Sequence, residues 1–240
     1  MNSILDTFTT AFYGDYENSR RGPSIIAEIL SAFSLSKSDF TESRLNGKNA
    51  NVSEIAKGCF GSKAFSSCCL ISANKKSWNG VKLHVEVGPY FAFISARSDV
   101  LDLATHSEKI TPYLCKLRET ICGIGYSMPL QFKPTLFAVT SGYVSPEFRD
   151  HAYFETGEEP QSWLSDLRTR RSNARTTVRG LFEVNYVNAE QFLYINSKYR
   201  LPKHVDEGVS ISRGFADSTL IKIDVSKPLV FELRNDKRQQ

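Results

Sequence analysis

Two different apolar periods run along the chain. Val81, Leu83, Val85 and Val87 alternate with Lys82, His84 and Glu86, which predicts a strand over 81–87 with one face in the core and the other wet. Beyond Gly88-Pro89, YFAFISAR at 90–97 is apolar almost throughout, the pattern of a strand covered on both sides. SSCCLISA at 66–73, TLFAVTSGYV at 135–144, FLYIN at 192–196, TLIKIDV at 219–225 and PLVFEL at 228–233 complete the expected strands.

Spacings of three and four predict the helices. Ile4, Leu5, Phe8 and Phe12 give a helix over 2–13, and Pro23 opens a second that carries Ile25, Ile26, Ile29, Leu30 and Phe33 on one side. The two are expected to pack as an amino-terminal helical hairpin. Asn51 and Glu54 form a capping-box pattern for a short helix ending near Gly58. Ile110, Leu114, Leu117 and Ile121 predict a helix over 108–122, stopped by Gly123. The residues at 34–50 and 197–218 read as polar loops, the first with an Asn46-Gly47 turn signal. The fold class expected from these segments is α+β, a mainly antiparallel sheet with packed helices and that amino-terminal hairpin. It forms one domain over 1–240, and any subdomain boundary would fall in the 145–160 loop.

The longest helical pattern lies within 158–188. Trp163, Leu167, Ala174, Val178 and Leu181 share one face, and Pro160 suits the first turn behind Glu158 and Glu159. Arg168, Arg171, Arg175 and Arg179 follow the edge and flank of that face, and no acidic residue falls between Asp166 and Glu183. Guanidinium groups one or two turns apart each grip a phosphate through a fork of donors. Ser172, Asn173, Thr176 and Thr177 add uncharged donors, and Phe182, Tyr186 and Tyr194 offer stacking surface. The blander alternative is a solvated face whose arginines pair with the protein's own carboxylates.

Composition narrows the classes without choosing among them. Hydrophobic residues at 41% and aromatics at 12% of 240 positions suit a folded globular chain. Thirty basic against 26 acidic residues leave a net charge of +4, too small an excess to imply a polyanion partner by itself. No apolar run reaches the roughly 20 residues that cross a bilayer, and the amino terminus lacks the pattern of a signal peptide. Cysteines at 59, 68, 69, 115 and 122 form no C-x-x-C pair, so reduced thiols in a cytoplasmic protein are expected, with no membrane partner.

Three residues stand out as candidates for catalysis. His84 and Glu86 share a strand face as i and i+2, a placement that suits acid–base work or a metal ligand pair. His-x-Glu also begins the zinc deaminase signature, but no P-C-x-x-C follows. His151 lies among Arg149, Asp150 and Glu155 just ahead of the basic stretch. The P-loop, G-x-G-x-x-G, G-x-S-x-G and H-E-x-x-H patterns are all missing, and spacing implies no metal site and no cofactor. The reading that results is a non-catalytic, cytoplasmic protein that binds nucleic acid or joins a complex through the 160–182 helix. Its partner is nucleic acid or another protein. The alternatives are an enzyme acting on a nucleotide or nucleic acid, and a pure protein-interaction subunit.

Overall fold

The computed structural model describes residues 6–16, 22–51, 55, 67–73, 80–102, 120–128, 130, 134–139, 160–169, 173–178, 182–198, 209–213 and 219–223. Ten strands dominate it: β1 (Thr7–Gly14), β2 (Glu42–Leu45), β3 (Lys48–Asn49), β4 (Cys68–Ala73), β5 (Val81–Val87), β6 (Phe91–Arg97), β7 (Thr120–Met128), β8 (Val184–Val187), β9 (Val209–Arg213) and β10 (Thr219–Ile223). They form one sheet in the order β3-β2-β4-β5-β6-β1-β7-β8-β10-β9, and every ladder is antiparallel. The described helices are short: α1 (Gly22–Ala32), α2 (Pro134–Val139), α3 (Pro160–Arg168), α4 (Asn173–Thr176) and α5 (Ala189–Lys198).

The molecule is therefore sheet-dominated, and the expected α+β balance of packed helices is overturned. The amino-terminal helical hairpin is absent too, because Thr7–Gly14 is a strand near the middle of the sheet, between β6 and β7. All eight of its positions are buried. A strand covered on both faces shows no alternation to betray it, and its apolar residues then fall at helical spacings by coincidence. Local chemistry favoured the strand: Thr7, Thr9 and Thr10 are β-branched, and Phe8, Phe12 and Tyr13 are aromatic.

Pairing parity divides the core in two. Phe8 and Phe12 point to the side of α1, where they join Ile25, Ile26, Ile29, Leu83, Val85, Ile94 and Tyr186. Each fully buried isoleucine of α1 contributes about 1.5–3 kcal/mol of hydrophobic stabilisation, which explains why this helix stays attached to β4 and β5. Ala11 and Tyr13 point the other way, into a second cluster with Phe93, Ile124, Tyr126, Ala138, Trp163, Leu164, Leu167 and Ala174. On that face α2 lies over β1 and β6, while α3 and α4 pack on each other. Tyr13 donates its hydroxyl proton to the Ala138 carbonyl (2.9 Å), and its ring meets Trp163 edge-on at 5.2 Å.

Several other expectations change. TLFAV at 135–139 belongs to α2 instead of a strand, and Thr120–Cys122 begin β7 instead of ending a helix. FLYIN is the body of α5, while VSISR, read as loop, is the edge strand β9. The expected strands at 66–73, 81–87, 90–97 and 219–225 correspond to β4, β5, β6 and β10. Asn46 and Gly47 make the two-residue turn joining β2 to β3, with φ of 49° and 75°. Both signs are positive, as a type I′ hairpin requires. The segments at 103–119, 140–159 and 224–240 lie outside the described residues, as does most of the predicted helix at 51–58.

Candidate functional site

The basic stretch does not form one helix. Residues Pro160–Arg168 make α3, and Asn173–Thr176 make the separate turn α4. At the end of α3, Thr169 donates both its backbone N–H (2.9 Å) and its hydroxyl (2.8 Å) to the Ser165 carbonyl. Asn173 Nδ2 then donates to the buried Asp166 carboxylate (2.8 Å), which ties the start of α4 to α3. The expected apolar stripe holds across the break, with Trp163, Leu167, Ala174 and Val178 all buried.

Of the four arginines, Arg168 and Arg175 are described, and both are exposed. Arg171 and Arg179 lie outside the described residues, as does His151. Arg168 is exposed and donates one bond to the Val139 carbonyl at the end of α2 (3.0 Å). Among the described residues neither Arg168 nor Arg175 pairs with a carboxylate, whereas Arg44 and Arg97 lie 3.0 Å from Glu42 and Asp99. Of the residues expected to help, Thr176 is exposed, but Phe182, Tyr186 and Thr177 are buried. Phe182 packs against Tyr126 and Tyr186 stacks on Phe12, so neither ring is available to a base.

A second constellation lies on the same face of the sheet, towards β2. Cys69 on β4 pairs across the ladder with Glu86 on β5, and His84 is two residues from Glu86. All three side chains therefore leave the sheet together. Cys69 Sγ lies 3.2 Å from His84 Nε2, and Glu86 Oε2 lies 3.2 Å from the same nitrogen. His84 is only 3% exposed and packs edge-on against Phe93 at 4.9 Å, which limits rotation of the ring. The Glu86 side chain is 25% exposed and forms the solvent side of the group.

Burial raises the Cys69 thiol well above its ordinary range, and the charge of Glu86 raises it further. Cys68, which points into the opposite core, is pushed up to about 12 by burial and then by Glu86. A nucleophilic cysteine needs its thiolate, and the Cys69–His84 pair holds the thiol instead. The sequence singled out His84 and Glu86 and missed Cys69, which is fifteen positions from His84. The signal was present only as parity: once 66–73 and 81–87 pair, either Cys68 or Cys69 must share the polar face of β5.

No protein-family model and no curated protein sequence matches the chain. Among solved structures the chain is similar to a Pseudomonas aeruginosa T6SS protein, with a TM-score of 0.49 and 9% sequence identity. The match takes in 90% of this chain and 66% of that one, so this chain spans just under two thirds of that protein's length. Likeness at that level does not extend to function. Among the described residues no helix is long and apolar enough to cross a membrane.

Proposed function

We propose that the chain is a non-catalytic, complex-forming protein that meets a polyanion, nucleic acid foremost, through the surface of α3 and α4. The observation that carries this reading is the contrast among arginines. Arg44 and Arg97 are neutralised by neighbouring carboxylates, while Arg168 and Arg175 stand exposed without one among the described residues. The helices beneath them are anchored by Trp163, Leu167 and Ala174, so the charges sit on a rigid support. Such a surface engages phosphates by charge and forked hydrogen bonds, contacts that carry little sequence preference. The free thiols of Cys68 and Cys69 are in keeping with a reducing, cytoplasmic setting.

The reading is tested on the purified full chain. Its ultraviolet absorbance ratio before a high-salt wash should report bound nucleic acid, and the wash should remove it. The double variant Arg168→Ala/Arg175→Ala should purify free of nucleic acid. Protein that is clean before the wash, or a double variant that carries as much nucleic acid as the native chain, overturns the reading.

A further inference from the structure

We propose that Cys69, His84 and Glu86 form a binding site for a divalent transition metal of the zinc class. The proposal stands independently of the polyanion surface. It begins from the convergence of a sulfur, a nitrogen and an oxygen donor, all within 4.8 Å of one another.

Hydrogen bonding alone accounts poorly for the arrangement. Both Cys69 Sγ and Glu86 Oε2 approach the one nitrogen His84 Nε2 at 3.2 Å. That atom carries either one proton or one lone pair in the ring plane, so it serves one neighbour well and the other badly. A metal removes the conflict, because each donor then makes its own bond to a shared centre. Zinc binds sulfur at about 2.3 Å and nitrogen or oxygen at about 2.0–2.2 Å, which separates tetrahedral ligands by roughly 3.4–3.6 Å. The two nitrogen contacts need to widen by only a few tenths of an ångström. Glu86, the exposed member, can close the remaining distance to sulfur by rotating about its side-chain bonds.

The surroundings fit the same ion. A thiolate and a carboxylate balance a divalent charge, and the imidazole binds as the neutral ring. Arg44 lies opposite Cys69 on β2, and its ion pair among the described residues is with Glu42 at 3.0 Å, not with Glu86. A sulfur–nitrogen–oxygen set selects zinc, cobalt and their neighbours over magnesium or calcium, which demand oxygen. Three protein ligands on two paired strands leave a fourth position on the solvent side for water.

The test uses the full chain stripped with a chelator and titrated with cobalt(II) alone. One equivalent should bring up a thiolate-to-cobalt charge-transfer absorption, and one equivalent of zinc should abolish it. Cys69→Ser should lose the band. Glu86→Gln, which alters a partly exposed position and leaves the strand intact, should keep the band and bind at least about tenfold more weakly. Absence of the band in the native chain, its survival in Cys69→Ser, or unchanged affinity in Glu86→Gln overturns the proposal.

Discussion

Asn188 and Gln191 each bond to the backbone of the other. Gln191 N donates to Asn188 Oδ1 (2.9 Å), and Asn188 N donates to Gln191 Oε1 (3.2 Å). This reciprocal cap satisfies two of the amide groups left open at the start of α5. The same side chains hold α4: Gln191 Nε2 donates to the carbonyls of Ala174 and Thr177, and Asn188 Nδ2 to that of Arg175. Arg175 is thus held through its carbonyl by Asn188, thirteen residues further along the chain, beside the buried amide of Gln191.

Replacing Gln191 removes the cap and the donor to the Ala174 carbonyl of α4 at once, while the Thr177 carbonyl keeps its bond from Trp163 Nε1 (3.2 Å). Gln191 is fully buried, so water does not take over its bonds. Gln191→Ala should cost about 2–4 kcal/mol, the sum of a lost cap and unmet buried groups, read as a fall in urea midpoint with unchanged slope. A loss under about 0.5 kcal/mol, the scale of an ordinary surface change, would contradict this account of how α4 is held.

Gly123 and Gly125 in β7 allow the strand to pass beneath large rings. A Cβ at Gly123 would stand 2.6 Å from Phe12 Cδ1 and 3.1 Å from Tyr186 Cδ2. Those two rings are stacked at 5.7 Å in the closed core, so neither has room to retreat. Gly123→Ala should therefore destabilise by about 1–3 kcal/mol through overpacking, although alanine suits a strand better than glycine does. Thermal unfolding at fixed pH decides the sign.

Glu183 accepts two bonds from Ser127, one from the backbone N–H (2.6 Å) and one from the hydroxyl (2.9 Å). Burial raises the pKa of Glu183 above its ordinary value, and the two bonds from Ser127 only partly oppose it. The folded state thus holds this proton more tightly than the unfolded chain. Its stabilising contribution is complete below the ordinary carboxylate value of about 4.3 and is lost as pH rises through the folded value. Glu183→Gln keeps an acceptor for the Ser127 N–H and removes the titration. The native chain should lose stability relative to this variant as pH rises above the ordinary carboxylate value of about 4.3; stability curves that stay parallel as pH rises would refute the assignment.

Legibility in the sequence tracked exposure. β5 alternates in sequence, although its polar face is not wet as expected, since His84 is buried against Phe93, and the Asn46-Gly47 turn shows in the two residue types that accept positive φ. β1 was hidden by burial on both faces, and β9 by polar residues that occupy an edge. Of the stripe expected through 160–182, Trp163, Leu167, Ala174 and Val178 are buried and Leu181 lies outside the described residues, while the division into α3 and α4, tied by the Asn173–Asp166 bond, left no mark in the spacing. Arg168 and Arg175, whose role is a proposal, were singled out by spacing alone. Cys69 could not be, because its meeting with His84 and Glu86 is set by the register of two strands.

Arg168 and Arg175 are exposed and, among the described residues, carry no carboxylate partner. The most direct test of their proposed role is the salt dependence of duplex DNA binding by the native chain and by Arg168→Ala/Arg175→Ala. Each guanidinium that displaces counterions from a phosphate adds about −0.9 to the slope of log affinity against log salt concentration. The double variant should bind more weakly, with a slope shallower by about two. An identical slope in both proteins would show that neither arginine meets a phosphate.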